Sequence, residues 1–465
     1  MELEAPLPDL VTPLHWAART DDVETARRLL VAGAKQQPDL RGITPIYLSA
    51  LRGNVAMLKL LLDSGASPDS STPGGETLLM TSAHVGSVDA VRLLLERGAH
   101  VDWQERTRGH TALMYAVEEN QVDVIRILID RKAEIDVQSF VTMPDNVQCV
   151  PTVPSLNLGA RGDGLYRAIA IPTPVGALTA LHIAAREGNL PVIEMLVKVG
   201  AHVDLPAANG ATPLITSIVN GHGAVAMFLL EHGADANRAD NFYKRTPLFA
   251  AIELKNPDRW TGIPTLTSGT VTPDALIQAI LARKVNVNAR VNTTPMGSFG
   301  NASGTWLSFD GQTAFIRAAL SGDVALMKLL LAHGADPNLK TDRGNTALMA
   351  AAGLNWVGGQ TFSHSDEEYV EAVKLCLARG ADVNAKNVEG LTAIHGAANR
   401  GFDRMVELLA SRGASLTAED ALGRTPLRFV DGVFLAVYPP APKPSTLALL
   451  KRLIDAERGK LGTAR

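Results

Sequence analysis

The sequence predicts an all-α fold: a solenoid of about eleven helix-turn-helix repeats with β-hairpin tips and irregular insertions. Three observations carry this. A Thr opens each unit, at 12, 44, 77, 111, 179, 212, 246, 313, 346, 392 and 425, spaced by 32–34 residues except for intervals of 68, 67 and 46. Each unit holds two short segments of helical period, and a Gly-Ala step closes the second at Gly33, Gly65, Gly98, Gly200, Gly233, Gly334, Gly380 and Gly413. Two helices this short cannot bury their apolar faces alone, so neighbours must stack into a continuous core.

Each position of a unit such as "GATPLITSIVNGHGAVAMFLLEHGADAN" has a mechanical reason. Thr212 caps the first helix with its hydroxyl, and Pro213 fits its first turn, where the missing N–H would be unpaired anyway. The first helix ends at Gly221, the second carries "AMFLL" inward, and Gly233 takes the left-handed conformation that stops it. These residues resemble the ankyrin repeat: "TPLHWAART" at Thr12, "TALHIAAREG" at Thr179 and "TAIHGAANRG" at Thr392 follow the family hallmark. Ala replaces the hallmark Pro at 112, 180, 314, 347 and 393, and Leu78 replaces it in the third unit. The resemblance covers nearly the whole chain. It implies a curved array whose tips and first helices line a concave surface, with the imidazoles of His15, His182 and His395 bonded to the local backbone and the Thr.

The organisation follows from the breaks in the period. Repeats one to four occupy 1–136, repeats five to seven 177–290, and repeats eight to eleven with a C-terminal capping helix 310–465. The stretch 137–176 carries Pro144, Pro151, Pro154, Pro172 and Pro174 and no long helical period, so it is read as an insertion at a hairpin tip. Its pieces "FVTM", "CVPTV" and "YRAIAI" suit short strands. A second tip insertion is 291–309, and two more, 256–272 and 354–366, separate the helices of single repeats. The closing Gly is Lys132 before the first tip insertion and Lys284 before the second. A non-Gly residue in the left-handed region costs on the order of 1–2 kcal/mol, so the chain is expected to leave those two helices by another path. With helices stacked about 8–10 Å apart, the tip insertions stand about 30 Å from each other, and they are expected to wall a pocket over the central repeats.

Composition excludes several classes. The 44 basic and 48 acidic residues leave a net charge of −4 without a long run of either sign, against a dedicated nucleic-acid surface. No apolar stretch reaches the ~18 residues of a membrane span. The opening "MELEAPLPDL" lacks the basic and apolar regions of a secretory signal, so the protein is expected in the cytoplasm if this start is native and exported if a signal was removed. Cys149 and Cys376 are too few for a disulfide framework, and Cys376 reads as a small buried hydrophobe.

No complete catalytic constellation, cofactor motif or metal set emerges. "GHGAVA" at Gly221 follows a helix, not the strand a dinucleotide fingerprint needs. In "HSDEE", His364–Glu368, Ser365 or Asp366 is expected to cap a helix, with metal or acid–base work as the lesser reading. The tip "VDWQERTRGH" offers Trp103, Gln104, Arg106 and Arg108 as partner contacts, or else it is a solvated basic tip with Trp103 packed on its neighbour. Tyr166, Trp260, Phe299, Trp306 and Trp356 fall in or beside the insertions, where they either reach a partner or pin the insertion to the repeats.

The expected function is thus a non-catalytic scaffold that binds a protein partner through its concave face, tips and insertions. An enzyme or small-ligand receptor with a site built by the insertions is the alternative. Self-association through the aromatic insertions is a further partner reading.

Overall fold

A computed structural model describes residues 10–143, 174–256, 271–292, 311–354, 364–430 and 442–463. Among them are 22 helices, no sheet, and four isolated β-bridges, each at a tip. Two compact units share these helices: the first runs to Met143 and takes in Pro174–Ala234, the second begins at Asp235.

The first unit holds six helix pairs, from Pro13–Thr20 with Val23–Val31 to Pro213–Val219 with Gly223–Glu231. The second holds five, from Pro247–Lys255 with Pro273–Leu281 to Pro426–Val430 with Pro444–Thr463. The opening Thr is the start signal in both units. Thr212 Oγ1 accepts the Ile215 amide at 3.3 Å, and Thr44, Thr111, Thr246, Thr313 and Thr346 accept the same third amide.

Where His stands three residues after the Thr, the lock is two-sided. Thr179 N–H donates to His182 Nδ1 at 3.2 Å, while Nε2 lies 3.2 Å from the carbonyl of Ala211, just before the next opening Thr. His15 reaches the Ile43 carbonyl, and His395 the Arg424 carbonyl, in the same way. Since Nδ1 accepts the Thr amide, Nε2 carries the proton, and the neutral ring ties one repeat to the next.

A second tie follows the helix-closing step by four residues. Asp69 and Asp102 accept the amides of His100 and Glu134 in the following repeats, both at 2.8 Å. Asp136 does this for the His202 amide, 66 positions on, at 3.1 Å. Repeat five therefore stacks directly on repeat four despite the insertion between them. In the second unit Asn288 crosses the other tip insertion to the Asp336 amide, at 2.9 Å.

Both tip insertions leave through paired backbone. Thr142 and Val175 exchange two N–H···O bonds of 2.9 Å, and Val291 pairs with Gln312 at 3.0 Å. Of the segments expected to be strands, "FVTM" contributes only the Thr142 bridge, because its partner arm pairs at one position. "CVPTV" and "YRAIAI" lie outside the described residues, as do Cys149 and the parts of both tip insertions expected to wall a pocket.

The expectation for the two lysines is overturned. Lys132 has φ 64 and Lys284 φ 56, the left-handed region that the closing glycines occupy. Lys132 N bonds Ile129 O at 2.9 Å and Ala133 N bonds Leu128 O at 3.0 Å, matching the bonds Gly33 and Ala34 make at the end of the first repeat. The hydrogen bonds of the turn and the inter-repeat tie four residues later hold the lysine backbone against its strain. Cys376 is fully buried and unpaired, and burial pushes its thiol up to about 12.

Candidate binding surface at the repeat tips

Several tips are held by a polar side chain a few residues before the opening Thr. Asp39 Oδ1 accepts the amides of Arg41 and Ile43, and Asp420 Oδ1 those of Leu422 and Arg424. The third-to-fourth tip carries an extra residue, and Glu105, one methylene longer than Asp, spans it. The Glu105 carboxylate is 2 % exposed and accepts from the amides of Thr107, Arg108 and His110, at 2.5, 2.7 and 3.2 Å, and from the Thr107 hydroxyl. Burial by itself would raise the Glu105 carboxyl. The Thr107 hydroxyl and the three amides outweigh it and hold the carboxyl below its ordinary value.

With its carboxylate inside, the tip turns other groups outward. Arg106 is exposed while its amide donates to Gly74 O of the preceding tip at 2.8 Å. Trp103 is 45 % exposed, its ring tilted against His100 at 6.1 Å. Arg108 lies 5.5 Å over the Tyr115 ring and donates to its hydroxyl at 3.3 Å, with its side chain half exposed. Gln104 is structural instead, donating to Gly109 O and Gln138 O.

The base of the first insertion abuts this tip. Phe140 N donates to Arg108 O at 2.7 Å, and Phe140, Val141 and Met143 are exposed beside it. Two glycines make the junction. A Cβ on Gly109 (φ 70) would come within 2.6 Å of the Phe140 ring, and one on Gly176 (φ 107) within 1.9 Å of its carbonyl oxygen.

Below the tip, Glu118 gathers Arg108, His110 and Arg186 at 3.6–3.8 Å. Burial, then the Arg108 charge, lowers the His110 imidazole, which favours the neutral ring.

Of the sequence-predicted contacts, the structure brings Trp103, Arg106 and Arg108 to one tip. Tyr166, Trp260, Phe299, Trp306 and Trp356 lie outside the described residues. In "HSDEE", Ser365 caps the following helix, its Oγ accepting the Glu368 amide at 3.3 Å, and Asp366 and Glu367 pair with Arg400 and Arg404. His364 instead joins a buried cluster in the second unit. Lys255 Nζ stands 2.6 Å from Asp274 and 3.0 Å from Asp323, and Asn256 Nδ2 donates to Asp323 at 3.1 Å. Asn256 O accepts from Arg317 at 2.7 Å, and His364 N donates to Ser321 O at 3.1 Å. Sequence reading missed this cluster and Glu105. The latter had a signal, an acidic or amide residue recurring five or six positions before the Thr.

Among the described residues no group of three or more His, Cys, Asp and Glu is placed to hold a metal ion, and no helix is long and apolar enough to cross a membrane.

Stacked pairs of Thr-capped helices joined by left-handed turns and paired tips define an α-helical repeat protein. The profile described as "Ankyrin repeats (3 copies)" matches residues 4–72, 64–139, 181–258 and 275–357, and "Ankyrin repeats (many copies)" matches 362–410. The chain belongs to the ankyrin repeat family. It is 29% identical over 212 residues to the mitochondrial disaggregase of Homo sapiens, a match covering 44% of this chain and 29% of that protein. It is 28% identical over 211 residues to the B-cell lymphoma 3 protein homolog of Mus musculus, covering 44% and 39%. The chain therefore spans well under half the length of these curated relatives. The crystal structure of the human ASB11 ankyrin repeat domain is similar at 22% identity and a TM-score of 0.42, over 59% of this chain and 98% of that one. Ankyrin repeats generally mediate protein–protein interaction.

Proposed function

We propose that the chain is a non-catalytic scaffold that binds a partner protein through the tip of repeats three and four and the insertion base beside it. The observation that carries this is the Glu105 cage. A buried carboxylate bonded to three amides and a hydroxyl fixes the loop that carries the exposed Arg106 and the half-exposed Arg108. Trp103 on one side and Phe140, Val141 and Met143 on the other add exposed apolar surface. Trp and Arg on a rigid frame are what interface hot spots use, because little side-chain and loop ordering remains to oppose binding.

The test compares immobilised intact protein with the variant Trp103→Ala/Arg106→Glu, quantifying captured proteins by isotope labelling. A partner depleted about tenfold or more on the variant is expected, since a hot-spot residue contributes at least ~2 kcal/mol. Both proteins must unfold at the same temperature. Equal capture by the two contradicts the reading, and depletion of the chain itself identifies a second copy as the partner.

A further inference from the structure

Two positions that are glycine through most of the repeats are both lysine around the seventh. Two residues before the opening Thr, eight units carry glycine, Gly210 and Gly344 among them, and all eight have positive φ. The seventh has Lys244 there, at φ 52. The residue that closes the second helix is likewise glycine in eight units, and Lys284, at φ 56, in the seventh. A lysine in this region is strained where glycine is not. Leu10 (φ 58) and Ala177 (φ 50) take the first of these turns and Lys132 (φ 64) the second, so each turn tolerates a side chain; the seventh repeat differs in placing lysine at both.

The two side chains share one place. Lys244 and Lys284 line an open groove of about 680 Å³ in the second unit, together with Asn237, Thr246, Asn286 and Arg290. No Asp or Glu is among the residues lining it. Arg290 at the rim already takes a carboxylate, with Nη2 2.5 Å from Asp342 Oδ1. Lys244 and Lys284 form no ion pair among the described residues.

We propose that this groove binds an acidic stretch of a partner protein, with Glu or Asp carboxylates on the ammonium groups of Lys244 and Lys284. Asn237 Oδ1 accepts the Asn286 amide at 2.7 Å and Asn286 Oδ1 the Asn288 amide at 3.1 Å, which turns the two side-chain NH2 groups into donors for the carbonyls of a bound peptide. The groove lacks the aromatic platform on which nucleic-acid bases stack, and the chain carries a net charge of −4 with no basic stripe to follow a phosphate backbone. A peptide is therefore favoured over a nucleic acid. The site shares no residue with the Trp103 tip, so either can fail without the other.

The experiment titrates a fluorescent decaglutamate peptide into the full chain and two double variants. Lys244→Gly/Lys284→Gly removes charge and strain together; Lys244→Gln/Lys284→Gln removes charge alone. The glycine variant is expected to unfold at the same or a higher temperature than the parent. Both variants are expected to bind decaglutamate about tenfold more weakly, the sum of two charge contacts in a partly sheltered groove, and a neutral peptide should not bind the parent. Three results overturn the proposal: no decaglutamate binding by the parent, equal binding by the variants, or an oligothymidylate of ten nucleotides binding the parent as tightly as decaglutamate does.

Discussion

Asn256 and His364, 108 positions apart in the chain, meet with Oδ1 and Nε2 3.4 Å apart beside the buried carboxylate of Asp323. Asn256 is the first residue of the stretch read as the inter-helix insertion of repeat seven, 256–272, and His364 lies near the end of that of repeat nine, 354–366. The intervening repeat supplies Asp323, which caps its second helix through the Leu326 amide at 3.0 Å. Both insertions are thus moored to one polar group in the core of the second unit.

Removing that group should be costly. Burial would raise the Asp323 carboxyl, but the Leu326 amide, Asn256 and Lys255 together hold it below its ordinary value. Asp323→Ala would leave Lys255 with the exposed Asp274 alone, uncap the Leu326 amide and strip Asn256 Nδ2 of its acceptor, losses that together cost about 2 kcal/mol. Urea denaturation followed by circular dichroism should show the midpoint falling accordingly. A change under about 0.5 kcal/mol would show that the cluster is not a stabilising centre.

The Thr179–His182 lock predicts a pH dependence. Burial lowers the His182 imidazole from 6.5 to about 4, against the carbonyls of Ala211 and Leu205. The unfolded chain then takes up a proton that the folded ring refuses. Stability is complete above 6.5 and is lost as pH falls from there through about 4, by at most ~3 kcal/mol at about 1.4 kcal/mol per pH unit. His182→Gln should flatten the melting-temperature profile between pH 7.5 and 5. An unchanged slope would contradict the assignment.

Lys132→Gly should stabilise the first unit by about 1 kcal/mol, because glycine relieves a left-handed backbone that the turn imposes. Thermal unfolding checks the sign, and a destabilisation would show that the Lys132 side chain packs in a way its backbone does not reveal.

Much of this was legible in the sequence for a physical reason. Helix starts, helix ends and inter-repeat locks are local devices, so Thr212, Gly233 and His182 announce their roles through their neighbours. The Lys132 and Lys284 turns were misread because strain was weighed residue by residue. The tie from Asp136 to repeat five, which helps to offset that strain, lies in another repeat. The Asp323 cluster was illegible because its members come from three repeats, and no period links Asn256 to His364. The proposed tip contacts fall between these cases: Trp103, Arg106 and Arg108 stand out by type, but the Glu105 carboxylate that fixes the loop between them does not.

The claim that this tip is a partner-binding surface is tested most directly by proximity. A photo-reactive benzoylphenylalanine replaces Trp103 in one protein and Val31, 86 % exposed on the first repeat, in another. After irradiation in a lysate of the source cells, position 103 is expected to give a discrete adduct of one defined mass, and position 31 none. Glu105→Ala, which frees the tip, should reduce that adduct by about tenfold. Adducts of equal yield at both positions, or an adduct at 103 indifferent to Glu105→Ala, would contradict the account.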